Sequence, residues 1–196
     1  MHLKGRGQRL RPGAGVTPAK VPNLSSSPHT GNWSVRVRTI GVLSDTHGLL
    51  REEAVHALAG SDLIIHAGDV GNPEILERLS KIAPVRAVYG NTDWGELREA
   101  LPGTDVVDLG TTGPLAYVLH IFDTIDLDPV AAGFRVVIFG HTHQPLMREL
   151  EGVLYLNPGS AGPKRADWPV TVAQLTVEGE SVRAEIVDLV VVQEGR

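Results

Sequence analysis

Between Val35 and Tyr89 the chain alternates three apolar β-type runs with two helical ones, and this alternation constrains the fold more than any other feature. Val35–Leu43 starts as an apolar/polar alternation and becomes fully apolar, the pattern of a strand entering a core. Leu50–Leu58 has helical spacing, Asp62–His66 is a second apolar run, and Pro73 opens a helix to about Ile82. Pro84–Tyr89 is a third strand. Strand, helix, strand, helix, strand at this spacing predicts parallel βαβ units with right-handed crossovers.

The remainder is richer in β structure. Asp105–Leu109, Leu115–Leu119 and Arg135–Phe139 read as strands, with a short helical turn near 126–132 before the last of them. Leu146–Leu150, Val153–Leu156, Val170–Val177 and Val182–Val191 follow as an expected antiparallel meander, with turns at Glu151-Gly152 and Glu178-Gly179-Glu180. Parallel units followed by antiparallel strands predict two packed sheets with helices outside. No internal repeat is visible.

Each strand of the first kind ends in a short polar loop, mostly beside glycine. The loops carry Asp45 and His47, then Asp69, Asn91 and His120, and finally His141 and His143 on the turn Gly140-His141-Thr142-His143. Sites in open α/β sheets form beyond the carboxyl ends of the strands, where all of these residues fall. Singly, each has an ordinary use: Asp45 as a cap or turn former, Gly68-Asp69 and Gly90-Asn91 as turn dipeptides, His120 as a hydrogen-bonded core histidine. Jointly, they favour metal binding. Imidazole nitrogens, two carboxylates and one amide carbonyl are too many groups for one tetrahedral site and suit a pair of partly open ones. An Asp can bridge two cations, and Asp69, midway in the series, is the natural bridge. Two cations roughly 3.5–4 Å apart would support in-line displacement at phosphorus.

Asp45-x-His47, Gly68-Asp69, Gly90-Asn91, His120 and Gly140-His141-x-His143 together resemble the calcineurin-like metallophosphoesterase superfamily, over Arg38 to about Leu189. Asn157-Pro158-Gly159-Ser160 and the short length resemble its small single-domain bacterial and archaeal phosphodiesterase branch, which also includes the metallophosphoesterase-like subunit of the retromer coat. The resemblance implies an α/β fold, a four-layer α-β-β-α sandwich of two mixed β-sheets flanked by helices. It implies one metal on Asp45, His47, Asp69 and His143, and another on Asp69, Asn91, His120 and His141. It casts Asp69, Asn91 and His120 as catalytic as well as metal-binding. The implied reaction is attack of a metal-bridging hydroxide on a small phosphodiester, with manganese the expected metal and iron, zinc, nickel or cobalt compatible.

Two positions depart from the pattern. Many members carry His directly after the Asn, where this chain has Thr92, which is no proton donor near neutral pH. Either esters with good leaving groups or protonation of the leaving oxygen by metal-bound water is therefore expected. Ile121-Phe122 replaces the usual glycine-led turn after His120. Of the other polar residues, His66 is expected to support the ligands, Asp93 to orient a ligand or, the favoured use, to cap the segment Trp94–Ala100, and Asn157 and Ser160 to shape the turn beside the site. Lys164 and Arg165 are either phosphate-facing charges or a solvated loop. The alternative function is a protein-interaction scaffold on the same fold, which would typically have lost ligand histidines; none is missing here.

Charge divides unevenly. The net charge is −5, yet Lys4, Arg6, Arg9, Arg11 and Lys20 give residues 1–34 a charge of +5 without a carboxylate, so the rest carries −10. Gly, Pro, Ser and Arg dominate that first stretch, which predicts a flexible basic extension (1–34) ahead of a domain over 35–196. An acidic body argues against nucleic acid as a partner through the domain face. No apolar stretch approaches the roughly 18 residues of a membrane span, so no membrane partner is expected. The absence of Cys excludes disulfide and thiolate chemistry and fits a cytoplasmic setting. Oligomeric state has no signature in the sequence.

Overall fold

In the computed structural model, residues 37–110, 113–165 and 167–189 are described. The expected extension over 1–34, the first two residues of the Val35–Leu43 run and the end of the Val182–Val191 run lie outside them. Ten strands form two five-stranded mixed sheets. Strands β1 (Arg38–Leu43), β2 (Leu63–His66) and β3 (Val85–Ala87) run parallel, and β9 (Thr171–Glu178) and β10 (Ser181–Asp188) add to them antiparallel, in the order β10-β9-β1-β2-β3. The second sheet contains β4 (Thr104–Asp108), β5 (Leu115–Leu119), β6 (Phe134–Ile138), β7 (Leu146–Leu150) and β8 (Val153–Asn157), in the order β4-β5-β6-β8-β7. There β5, β6 and β8 are parallel, while β4 and β7 are antiparallel edges.

One apolar layer fills the space between the sheets, built from Ile40, Val42, Ile65, Val118, Val136, Ile138, Leu156, Ala173 and Leu175 among others. A second layer separates the first sheet from helices α1 (Glu52–Leu58), α2 (Pro73–Ser80) and α3 (Glu96–Ala100), through Ala54, Leu58, Ile75, Leu79 and Leu97. In α2 the buried Ile75 and Leu79 lie four apart, one helical face. Its start is set by Pro73 and by Asn72, whose side chain accepts from the Glu74 N–H at 2.9 Å. The fourth layer is thin: a 3-10 turn at Phe122–Thr124, with Ile125 and Leu127 after it, covers the outer face of the second sheet over Tyr117, Phe134 and Val137. Phe122 packs there tilted against Phe139 and edge-on to Tyr155.

The expected single meander is instead two hairpins on different sheets. β7 and β8 pair with each other in the second sheet, and β9 and β10 pair in the first. Both faces of β8 are apolar, Leu154 and Leu156 against the inter-sheet layer, Val153 and Tyr155 against the outer one. A strand apolar on both faces belongs in the interior of a sheet, so β8 inserts between β6 and β7.

This topology sets the site. The register aligns Leu43 with His66 and His66 with Ala87, so β1, β2 and β3 end level. In the other sheet Val118 aligns with Ile138, and Ile138 with Leu156, so β5, β6 and β8 end level too. Six carboxyl ends from two sheets therefore meet along one rim.

Candidate metal centre

The loops on that rim are stitched to one another by backbone bonds. Asp45 N–H donates to Gly68 O at 3.0 Å and His47 N–H to Asp69 O at 2.9 Å. Across the sheets, Ala161 N–H donates to Ser44 O at 3.0 Å and His141 N–H to Asp45 Oδ2 at 3.1 Å. Gly140 and Gly90 permit the closest approaches: a Cβ at Gly140 would collide with Ser44 and Asp45, and one at Gly90 with Asp69. Asp45, His47, Asp69, His141 and His143 all have φ between 44° and 70°. Non-glycine residues seldom adopt that left-handed region, and Glu151 in a hairpin turn is the sole other case among the described residues.

All seven residues expected from the sequence come together. Asp45 Oδ1 lies 3.3 Å from His143 Nε2 and 3.8 Å from His47 Nε2, and the two Nε2 atoms are 3.3 Å apart. Asp69 Oδ2 is 3.8 Å from the same His47 nitrogen and 3.3 Å from His120 Nε2. Asn91 Oδ1 sits 3.1 Å from His120 Nε2 and 2.8 Å from His141 Nδ1. Two donor groups result, joined through Asp69, with Asp45, His47 and His143 on one side and Asn91, His120 and His141 on the other. Ligand atoms of Asp45, His47 and His143, and likewise of Asp45, Asp69 and His120, lie within 4.8 Å of one another.

The protonation pattern fits cation binding. Desolvation lowers the pKa of both His47 and His143, the latter to about 4, so both are neutral near pH 7. His47 Nδ1 faces Thr92 Oγ1 at 3.4 Å, and its Nε2 faces His143 Nε2. Asp45 is fully buried, and its Oδ1 has no hydrogen-bond partner. Burial pushes its carboxyl up to about 6, against the charge of His120, the Ser44 hydroxyl and the His141 N–H. A buried carboxylate oxygen without a donor, with two neutral imidazoles beside it, is satisfied by a cation between them. Burial alone would raise Asp69, but hydrogen bonds from His120 and the Thr92 N–H (2.8 Å) hold it well below the usual carboxylate range. His120 shows the converse: burial would lower it, while Asp69 and Asp45 draw it up. Its Nδ1 donates to Ala67 O at 2.7 Å, directing Nε2 at the locus, where a cation would replace the proton.

The sequence profile of the calcineurin-like phosphoesterase superfamily domain matches residues 39–180. The chain belongs to the calcineurin-like phosphoesterase superfamily. It is 36% identical over 167 residues to a probable metallophosphoesterase of Methanothermobacter thermautotrophicus, covering 76% of this chain and 91% of that protein. It is 29% identical over 170 residues to the phosphodiesterase YfcE of Escherichia coli, covering 72% of this chain and 89% of that one. Among solved structures, Vacuolar Protein Sorting 29 from Cryptosporidium parvum superposes with a TM-score of 0.66 at 20% identity, over 82% of this chain and 94% of that chain, a likeness of fold.

Several residues of this superfamily member do work the sequence did not reveal. Asp93 is not a helix cap: α3 begins after Gly95 with no side-chain cap. The buried Asp93 carboxylate instead accepts from Gly71 N–H at 2.8 Å, Gly90 N–H at 2.9 Å and Val70 N–H at 3.1 Å, tying the Asp69 loop to the Asn91 loop. Thr92, considered only for the proton it cannot give, orients Asp69 through its N–H and His47 through its hydroxyl. His66 supports the ligands as expected. Its Nδ1 accepts from Gly68 N–H (3.3 Å), so Nε2–H donates to Thr46 Oγ1 (2.9 Å), and Thr46 passes its own proton to Val70 O (2.9 Å). Asn157 donates to Gly140 O at 2.8 Å and Thr142 Oγ1 at 3.1 Å, fixing the turn that carries His141 and His143, and Ser160 donates to Asp45 O at 3.0 Å. The loop Gly110–Pro114, a candidate wall for the substrate pocket, has its residues 111–112 outside the described ones.

Proposed function

We propose that this chain is a binuclear, metal-dependent phosphodiesterase, acting on small phosphodiesters by in-line displacement. The observation that carries this is the unpartnered Asp45 Oδ1, facing the Nε2 atoms of His47 and His143 across a buried locus. Asp45, His47, Asp69 and His143 would hold one divalent cation and Asp69, Asn91, His120 and His141 the other. Borderline nitrogen and hard oxygen donors suit manganese, with iron, zinc, nickel and cobalt accepted by the same set. Bound there, the pair would supply a nucleophilic hydroxide and neutralise charge on the phosphate.

The chain's own residues do the rest. Asp69 faces both halves, its Oδ1 occupied by the Thr92 N–H and its Oδ2 turned to His47 and His120. His120 is locked by Ala67 O and Asn91 by the two imidazoles beside it, so neither reorganises as charge develops. One P–O ester bond breaks as the incoming oxygen bonds to phosphorus, and the departing alkoxide must find a proton. Thr92 holds the position where a histidine could give one, and a hydroxyl of its basicity cannot. Phenolate-like leaving groups, which need no proton, are the fitting substrates. The lack of Cys suits a reducing, cytoplasmic setting.

The test is hydrolysis of a panel of aryl and alkyl phosphodiesters by manganese-loaded protein. Cleavage of aryl esters, abolished in Asp69→Ala, is expected. No turnover of any ester, with binding of both cations intact, would leave the scaffold reading, which the fold of Vacuolar Protein Sorting 29 favours and the complete ligand set opposes.

A further inference from the structure

The two ends of the sandwich are finished differently. At one end the edge strands are short, β3 with three residues and β4 with five, and they are latched together. Arg86 on β3 grips both carboxylate oxygens of Asp105 on β4, its Nε at 2.8 Å from Oδ2. At the other end β10 presents an eight-residue edge without proline, lysine or bulge, and its inward positions Val182, Ala184 and Ile186 are apolar. Edges that stay unpaired normally carry such an interruption or an inward charge. Among the described residues, no strand pairs with the outer side of β10. Beside it the sheets part around a cavity of about 440 Å³ lined by Met147, Glu149, Leu154, Val182 and Ala184, where half-buried apolar groups of the inter-sheet layer meet solvent.

The hairpin fixes which backbone groups that edge offers. The two-residue turn Gly179-Glu180 joins Glu178 to Ser181, and at the far end Leu189 N–H donates to Val170 O at 2.8 Å, so the odd-numbered residues of β10 bond to β9. The N–H and C=O groups of Val182, Ala184 and Ile186 therefore point away from the sheet. A second copy related by a two-fold axis normal to the sheet would set each residue opposite one on the same face. An axis through Arg183 or Glu185 would oppose like charges. An axis through Ala184 sets Arg183 opposite Glu185 of the second copy, twice, at the closer non-hydrogen-bonded positions, and Val182 opposite Ile186. The ion pair that Arg183 makes within the chain, 3.7 Å to Glu178, is exposed and weak. We propose that β10 is a homodimer interface, on which a second copy of this chain pairs antiparallel about Ala184. The first sheet then runs through both subunits, and the inward apolar residues of the second β10 come to the mouth of the cavity.

Sedimentation velocity of the full chain across roughly 1–100 µM protein tests this, with circular dichroism to check each variant's fold. The wild type is expected to dimerise. Arg183→Glu and Glu185→Arg each oppose like charges twice and should weaken the dimer about tenfold or more. The exchanged pair Arg183→Glu/Glu185→Arg should restore it. An equimolar mixture of the two single variants should also associate, because each copy then supplies the charge that the other lacks. A wild type that stays monomeric throughout overturns the proposal. So does a dimer indifferent to both single changes, or an exchanged pair as weak as the single variants.

Discussion

Replacing Asp45 by Asn should make the cation-free protein more stable while removing its capacity to gain stability from metal. In the folded state the Asp45 carboxyl is pushed up to about 6 from an ordinary 3.8, chiefly by burial. Native protein therefore binds more protons than unfolded chain between those two values. The stability contribution of Asp45 is fully present below pH 3.8 and is lost as pH rises to about 6. At 1.36 kcal/mol for each pH unit, keeping the group ionised above pH 6 costs about 3 kcal/mol. Asn carries no such charge, and its Oδ1 can still accept from the His141 N–H that now binds Asp45 Oδ2 at 3.1 Å. Its amide would face the neutral His143 Nε2, the neighbour of Asp45 Oδ1 at 3.3 Å, which can accept a hydrogen bond.

Urea and thermal melts in the presence of chelator, at pH 4 and pH 7.5, read this directly. Asp45→Asn should exceed the wild type by about 2–3 kcal/mol at pH 7.5, roughly 5–10 °C in Tm for a domain of this size, and by little at pH 4. The buried His66 titrates in the same range but is common to both proteins and cancels in the difference. With manganese the order should reverse, because only the wild type gains stability from the bound cation. A variant less stable than the wild type at pH 7.5 in chelator, or a difference independent of pH, would refute the burial argument.

Asp93→Ala strips an acceptor from three backbone N–H groups and should destabilise the fold by about 3 kcal/mol or more and weaken metal binding 10–100-fold, measured by melts and calorimetry. Gly90→Ala places a methyl group against Asp69, so manganese affinity should fall with little change in secondary structure by circular dichroism. His66 is lowered to about 4 by full burial, so its contribution is present above pH 6.5 and lost as pH falls to about 4, by up to about 3 kcal/mol; a His66→Gln protein should show a flatter acid limb. Thr92→His should extend hydrolysis toward alkyl esters, read as a raised ratio of alkyl to aryl kcat, if the missing proton donor limits the wild type.

What could be read from the sequence follows from where each residue stands. Asp45, Asp69, Asn91 and His120 are polar residues placed directly after apolar strands, and a polar residue there has few reasons to exist outside a site. Lys164 and Arg165 carry no such signal, because an irregular loop has no periodicity to say which side chains face a site. The choice between the two roles of Asp93 is hidden in the sequence for a related reason. Its partners Val70 and Gly71 lie more than twenty residues back, and only the level ending of β2 and β3 brings their N–H groups to it. The hairpins were recognised, but alternation tells which face of a strand is apolar and not which sheet receives it.

Thr46 and His66 illustrate how the site's demands spread into its surroundings. Asp45 and His47 both adopt the left-handed region, which costs about 1 kcal/mol or more for a residue with a Cβ. Thr46, between them, is anchored by its hydroxyl to His66 and Val70 O, and His66 is in turn fixed by Gly68 N–H, next to Asp69. This short chain links the strained turn of one ligand loop to the backbone of the other, entirely out of contact with solvent. Protonation of His66 would remove the acceptor for Gly68 N–H, loosening both loops together. Acid therefore acts on the two loops in two steps, on Asp45 near pH 6 and on the backbone presenting it near pH 4, and cation release on acidification should span a wider range than the titration of one carboxylate.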